Sequence, residues 1–315
     1  SFHGYTGNVK KLVDGIVEKD YAQRGVTISP KEIYVTDGSS AEIYNITDIF
    51  ASDSEVLVPD PAYPAYVDVN SMLGRKIHYV PCLEENGFIP QPPDYKVDIV
   101  YLCSPNNPTG ATCDLEYLKK VYAWCQENKT ILCYDAAYSE MCYDGYRAPS
   151  ILQVGPDAIE FGSFSKTFKM TGFRLGYAVG HPDLIAGLTK CKGQTDSGAP
   201  AFIQDAGIKA LSLYGDDGEI PQAVRDNMAI YAERRRVLVE GLRELGYDVV
   251  MPKGTFYVWF DCGMPSAEFT QKMIDLGVIV TPGNGFGESA DGYIRMTVTE
   301  PVERIKLALE RMRRG

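Results

Sequence analysis

Histidine is scarce in this chain. His3, His78 and His181 lie far apart in 315 residues, and none stands beside acids at metal-ligand spacing. The eight cysteines, Cys82, Cys103, Cys113, Cys125, Cys133, Cys142, Cys191 and Cys262, include no Cys-x-x-Cys and no Cys/His spacing suited to zinc. No metal site is expected, and the cysteines read as free thiols of a reducing compartment. Basic residues are also few: 31 Lys and Arg against 42 Asp and Glu leave a net charge of -11. That balance excludes the positive face a nucleic acid needs. Arg311, Arg313 and Arg314 form the one closing basic run and suit the last turn of a helix. No apolar run reaches membrane-spanning length, and Ser1-Phe2-His3-Gly4 lacks the basic-then-apolar pattern of a leader. The expectation is a soluble, cytoplasmic protein without membrane or nucleic-acid partners.

What is present is apolar material in two styles. With 45% apolar residues the chain can bury one large domain and a smaller one. Short apolar runs at 32–36, 56–59, 99–102, 130–134 and 158–161 lack alternation, as strands buried on both faces do. Helical spacing at 41–50 and 115–127 fits between them, which predicts a mainly parallel sheet in an α/β domain. A long helical stretch at 220–245 leads to strands at 254–260 and 293–298 and helices at 267–276 and 301–313. This second style predicts a smaller C-terminal α+β domain, with the division set at 1–215 and 216–315.

In such a sheet a ligand belongs beyond the carboxyl ends of the strands, so the residues after each strand are the candidates. After the first comes Asp37-Gly38-Ser39-Ser40 at a helix start, where free N–H groups favour a phosphate; alone, it reads more often as a plain cap. After the strand at 130–134 comes Asp135, with Tyr138 three residues on. An acid there needs a partner, either a protonated ring nitrogen or the N–H groups of the next helix. The strand at 158–161 runs into Gly162-Ser163-Phe164-Ser165-Lys166, and Gly172-Phe173-Arg174-Leu175-Gly176 follows. Lysine supplies an amine able to form a Schiff base, and arginine holds phosphate through charged forks. Ser163 to Lys166 also matches Ser-x-x-Lys of acyl-transfer enzymes, but no Lys-Thr-Gly or Ser-Asp-Asn accompanies it. Gly283-Asn284-Gly285-Phe286-Gly287 has the wrong spacing for a dinucleotide fingerprint.

Taken with Asp60-Pro61-Ala62-Tyr63-Pro64, Ser104-Pro105-Asn106-Asn107-Pro108-Thr109-Gly110 and Tyr134-Asp135-Ala136-Ala137-Tyr138, these motifs stand in one order along the chain. In that order the sequence resembles the class I/II aminotransferases of pyridoxal-phosphate fold type I. The resemblance implies a seven-strand-type sheet with helices on both faces. It implies pyridoxal 5'-phosphate held by Lys166 as a Schiff base, with Lys166 also moving the proton between substrate Cα and cofactor C4′. Asp135 would pair with the ring nitrogen, and Tyr63 would cover the ring. Asn107 and Tyr138 would bond its 3-oxygen, and Ser39, Ser40, Ser163, Ser165 and Arg174 would surround its phosphate. Arg295 would take the substrate carboxylate, with Asn107 beside it; alone, it reads as a surface residue of an edge strand. Tyr5 would reach the phosphate site of a second subunit, which implies a homodimer.

Four stretches, Ser1-Phe2-His3-Gly4-Tyr5, Tyr63-Pro64-Ala65-Tyr66-Val67-Asp68, Glu85-Asn86-Gly87-Phe88-Ile89-Pro90 and Tyr101-Leu102-Cys103-Ser104, are similar to the LL-diaminopimelate branch of that family. The substrates implied are an amino acid and a 2-oxo acid. Departures are Gly7-Asn8-Val9-Lys10-Lys11 after the tyrosine, Ser40 in place of lysine, and Gly198-Ala199-Pro200 near a substrate loop. The chain also begins where relatives already have several tens of residues, an arm that helps close over substrate. A β-lyase or decarboxylase with the same cofactor residues, or a weakly active cofactor-binding form, remain the alternatives.

Overall fold

In chain order the strands are β1 (Ile33–Thr36), β2 (Val56–Asp60), β3 (Ile77–Pro81), β4 (Ile99–Cys103), β5 (Ile131–Asp135), β6 (Ala158–Ser163), β7 (Gly176–Gly180), β8 (Tyr257–Asp261), β9 (Thr281–Pro282) and β10 (Tyr293–Thr297). The computed structural model describes residues 4–215 and 218–315. It joins the first seven into one sheet in the order β1-β7-β6-β5-β4-β2-β3. Only β7 is antiparallel to its neighbours. The apolar runs behave as their lack of alternation requires, since β2 and β4 are buried at every position.

Register decides where chemistry can gather. Cys103 at the end of β4 stands opposite Asp135, and Asp135 opposite Phe161. Gly176, which opens β7, pairs with both Ser163 and Thr36. The ends of β1, β4, β5 and β6 therefore share one sheet edge, as a ligand site in an open α/β sheet demands.

Two strands of the large sheet, and the short β9 of the small one, escape the sequence reading. β3 is a half-exposed edge with Pro81 at its end, and β7 carries two glycines that propensity assigns to a loop. Close approach explains them: a Cβ on Gly176 would meet the Ser39 nitrogen at 2.6 Å, and one on Gly180 the Ala158 oxygen at 2.1 Å. The helix expected at 41–50 runs over Ser39–Asn45 and tightens into a turn at Ile46–Ile49. Buried Arg75 closes that end by donating to the carbonyls of Thr47 and Phe50 at 2.8 and 3.1 Å. The strand expected at 254–260 starts at Tyr257, because Thr255 sits at φ 65° in a turn.

β8, β10 and β9 form a separate three-stranded antiparallel sheet. Its even-numbered side chains Val258, Phe260, Ile294 and Met296 enter a core with Leu238 and Leu242 of the helix Gln222–Glu244 and Ile305 and Leu309 of the helix Val302–Met312. Its odd-numbered side chains, Tyr257, Trp259 and Arg295 among them, share the other face. The boundary expected between residues 215 and 216 touches residues outside those described, and so does Ser1-Phe2-His3. Among the described residues no helix is long and apolar enough to cross a membrane.

Candidate active site

The shared sheet edge opens onto a cavity of about 670 Å³, its mouth included. Of the residues singled out in the sequence, Ser39, Ser40, Tyr63, Asn107, Asp135, Tyr138, Ser163, Ser165, Lys166 and Arg174 all line it. Motifs separated by up to 135 positions thus meet because each follows a strand of one sheet. Arg295 joins them from β10 by donating to Asn107 Oδ1 at 2.6 Å. Tyr5 does not join them; it is 89% exposed.

Asp135 forms the floor and is buried. One carboxylate oxygen accepts from the Tyr66 hydroxyl at 2.7 Å and the other from the Ala137 N–H at 3.0 Å. Burial pushes its pKa up, while Tyr66, the Ala137 N–H and the charge on Lys166 pull it back. Among the described residues no helix follows β5 where the sequence reading placed one; Ala137 lies in a turn, its N–H stands where a helix-start donor was expected, and the carboxylate still lines the cavity. The role of Tyr66 was not read from sequence. Its signal was its position three residues after Tyr63, in the first turn of the helix Ala65–Met72. Its ring meets Tyr63 edge-on at 5.7 Å and stacks on Tyr101 at 5.0 Å.

Lys166 lies half-buried in the short helix Phe164–Thr167 that follows β6. Ser163 caps that helix by accepting from the Ser165 N–H at 3.1 Å. The lysine Nζ is 5.6 Å from the ring centres of Tyr138 and Phe256. Burial first, then Arg174 and Arg295, lowers its pKa, and Asp135 opposes them. Such an amine gives up its proton more readily than a surface lysine and becomes a nucleophile.

Gly38 sits at φ 113° against the Arg174 guanidinium, and a Cβ there would lie 2.6 Å from Nη2. Arg174 also anchors itself by donating to the Thr171 carbonyl at 2.8 Å. The result is a cradle of serine hydroxyls and one guanidinium that a side chain at position 38 would fill.

Arg295 lies on the central strand of the small sheet, which corrects the edge-strand reading. Its guanidinium carbon is 4.2 Å from the Tyr257 ring centre and 4.6 Å from that of Phe286. Its Nε is buried without a partner. Burial lowers its pKa, and the groups that oppose this are Tyr257 and Tyr138, with no carboxylate among them. The loop bearing Phe286 is tied to the large sheet, its carbonyl accepting from the Ala62 N–H at 3.0 Å, with Ser289 Oγ donating to the Asp60 carbonyl at 2.7 Å. Tyr257, whose hydroxyl is 3.1 Å from that of Tyr138, is a further participant not foreseen. Its alternation with apolar Val258 and Phe260 was the available sign.

The profile of the family "Aminotransferase class I and II" matches residues 3–312. The chain belongs to this aminotransferase family. It is 43% identical to the LL-diaminopimelate aminotransferase of Syntrophobacter fumaroxidans, a match covering 82% of this chain and 68% of that one. The LL-diaminopimelate aminotransferase of Aquifex aeolicus is 40% identical over 99% of this chain and 83% of its own. Among solved structures, an aromatic aminotransferase from Pyrococcus horikoshii superposes with a TM-score of 0.92 at 30% identity, covering 100% of this chain and 87% of that one. The aspartate aminotransferase of Thermus thermophilus with maleate gives 0.90 at 28%, covering 100% and 84%. The α/β sheet with a small antiparallel C-terminal sheet is therefore an aminotransferase fold.

Proposed function

We propose that this aminotransferase uses pyridoxal 5'-phosphate to move an amino group from LL-diaminopimelate to a 2-oxo acid. The observation that carries the reading is a pair of cations without a paired carboxylate at one site: Lys166, which lines the cavity with its pKa lowered, and Arg295, held between two rings and bonded to the cavity residue Asn107. The cofactor fits the residues present, because the Gly38 cradle leaves room for a phosphate beside Arg174 and the floor carries a buried acid. When bound, the cofactor supplies a carbonyl that condenses with amines and a ring that accepts the electron pair released at the substrate Cα.

This chain's residues do the rest. Lys166 would hold the cofactor through its amine and, once displaced, carry the proton from Cα to C4′. Asp135, kept ionisable by Tyr66 and Ala137, would accept the ring N–H and keep the ring an electron sink. Asn107 and Tyr138 would bond the ring oxygen, and Tyr63 would cover the ring. Ser39, Ser40, Ser163, Ser165 and Arg174 would share the phosphate. Arg295 would take the α-carboxylate as a fork, with Asn107 already setting the plane of its guanidinium. The exposure of Tyr5 supports a homodimer in which it serves the partner's site. Eight free cysteines support a reducing, cytoplasmic location. The similarity to relatives named for LL-diaminopimelate supports that donor.

The test is the absorbance spectrum of the protein with pyridoxal phosphate, before and after LL-diaminopimelate or L-glutamate is added without oxo acid. Conversion to pyridoxamine 5'-phosphate is expected, faster with LL-diaminopimelate. Release of pyruvate and ammonia from an added amino acid that carries a β-leaving group, such as L-cystathionine, without conversion by either donor, would replace transamination by a lyase reaction. Failure to bind the cofactor would overturn the reading.

A further inference from the structure

Asp37 enters the turn that carries Ser39 and Ser40, and its carboxylate lies 2.5 Å from Lys192 Nζ. Lys192, near the end of the helix Pro182–Thr195, is fully buried and also pairs with Asp196. Asp196 in turn accepts from the Gly198 N–H at 3.0 Å. Gly198 packs on the segment bearing Tyr5, where a Cβ would stand 3.2 Å from the Thr6 carbonyl. Glu42 completes the cluster. It lies three residues beyond Ser39, has no exposure, and finds no donor for either oxygen. Tyr34 and Thr36 of β1 face the same group. Burying a lysine is costly and is offset here by its two carboxylate partners, which fixes the geometry of both acids, and neither Lys192 nor Glu42 lines the catalytic cavity.

We propose that Lys192 is a positioning residue for the phosphate-binding turn, clamping Asp37 to Asp196 so that Gly38, Ser39 and Ser40 are held against Gly176 and Arg174. The inference rests on the pyridoxal-phosphate reading. Without the ammonium, Asp37, Asp196 and Glu42 would be acids with no cation among them. Asp37 and Asp196, each partly exposed, would no longer be tied together, and their mutual repulsion would be relieved by taking up protons or by turning toward water and moving the turn.

Binding of pyridoxine 5'-phosphate, which lacks the aldehyde and so does not depend on Lys166, reads this directly. Lys192→Met is expected to weaken it about tenfold or more, and Lys192→Arg to restore most of the loss. The ratio of variant to unaltered dissociation constants should shrink as pH falls, because protons then replace the missing charge. A ratio near one at every pH, with only the melting temperature lowered, overturns the proposal and leaves the function reading intact. No binding by the unaltered protein overturns both. If Lys192→Met does not fold, Asp196→Asn decides: severalfold weaker binding supports the clamp, and unchanged binding ends it.

Discussion

Among the described cations withdrawn from water, the lysines Lys192 and Lys166 and the arginines Arg235 and Arg295 divide the same way. Lys192 has carboxylates on two sides, and its pKa is raised. Lys166 has Asp135 as the one acid bearing on it, and its pKa is lowered. Arg235 lies over the Tyr143 ring at 4.2 Å and donates to the Pro252 carbonyl and to Asp144 at 2.6 and 2.7 Å. Arg295 lies over the Tyr257 ring at the same 4.2 Å with no carboxylate at all. Stacking and an unpartnered Nε do not separate the arginines, since both have them. The missing anion does. A buried cation supplied with its anion, or, like Arg75, with several carbonyls of its own chain, serves the fold, whereas one left beside an open cavity without either is arranged for an anion or carbonyl from outside.

The sharpest way to break this division is Lys166→Ala. Turnover should fall by at least about 10²–10⁴, the range of a lost acid–base group, with the circular dichroism spectrum unchanged. Retained half-reaction in the absorbance assay would remove Lys166 from its role. The arginines come next. Arg295→Lys should raise KM for the amino acid on the order of tenfold to a hundredfold through the lost fork. Arg235→Lys should leave KM alone and cost about 1 kcal/mol in urea unfolding. Equal KM effects would dissolve the contrast.

Tyr66→Phe is a finer probe. Losing the hydroxyl removes one of the groups holding down the Asp135 pKa, which burial raises. The acid limb of the kcat/KM profile should therefore move to higher pH, with cofactor affinity weakened roughly tenfold. An unmoved limb would show that Asp135 does not need Tyr66. The last probe concerns Glu42, which burial pushes up from 4.5 to about 8. A carboxyl that holds its proton more tightly folded than unfolded contributes stability below its unfolded value and loses it as pH rises toward about 8. Glu42→Gln should flatten that decline between about pH 5 and pH 8 in urea midpoints; an unchanged slope would put the proton elsewhere.

What could be read before folding was whatever depends on local chemistry. Runs such as Ile99-Val100-Tyr101-Leu102 need no alternation when both faces are covered, so the α/β order was legible. The residues following those runs, Asp135 and Lys166 among them, were legible as candidates because strand ends are where such sheets open. β7 was hidden, since its glycines are explained by Ser39 and Ala158, which pack against it from elsewhere. The support of Tyr66 for Asp135 across 69 positions was equally invisible, and the pairing of Asn107 with Arg295 across 188 was implied only by the family resemblance. By itself, then, the sequence determined which groups could carry amine and carboxylate chemistry, because that follows from residue type and strand order. Only the tertiary structure decided which buried cations kept their anions and which were left open, because burial and distance are properties of the packed chain.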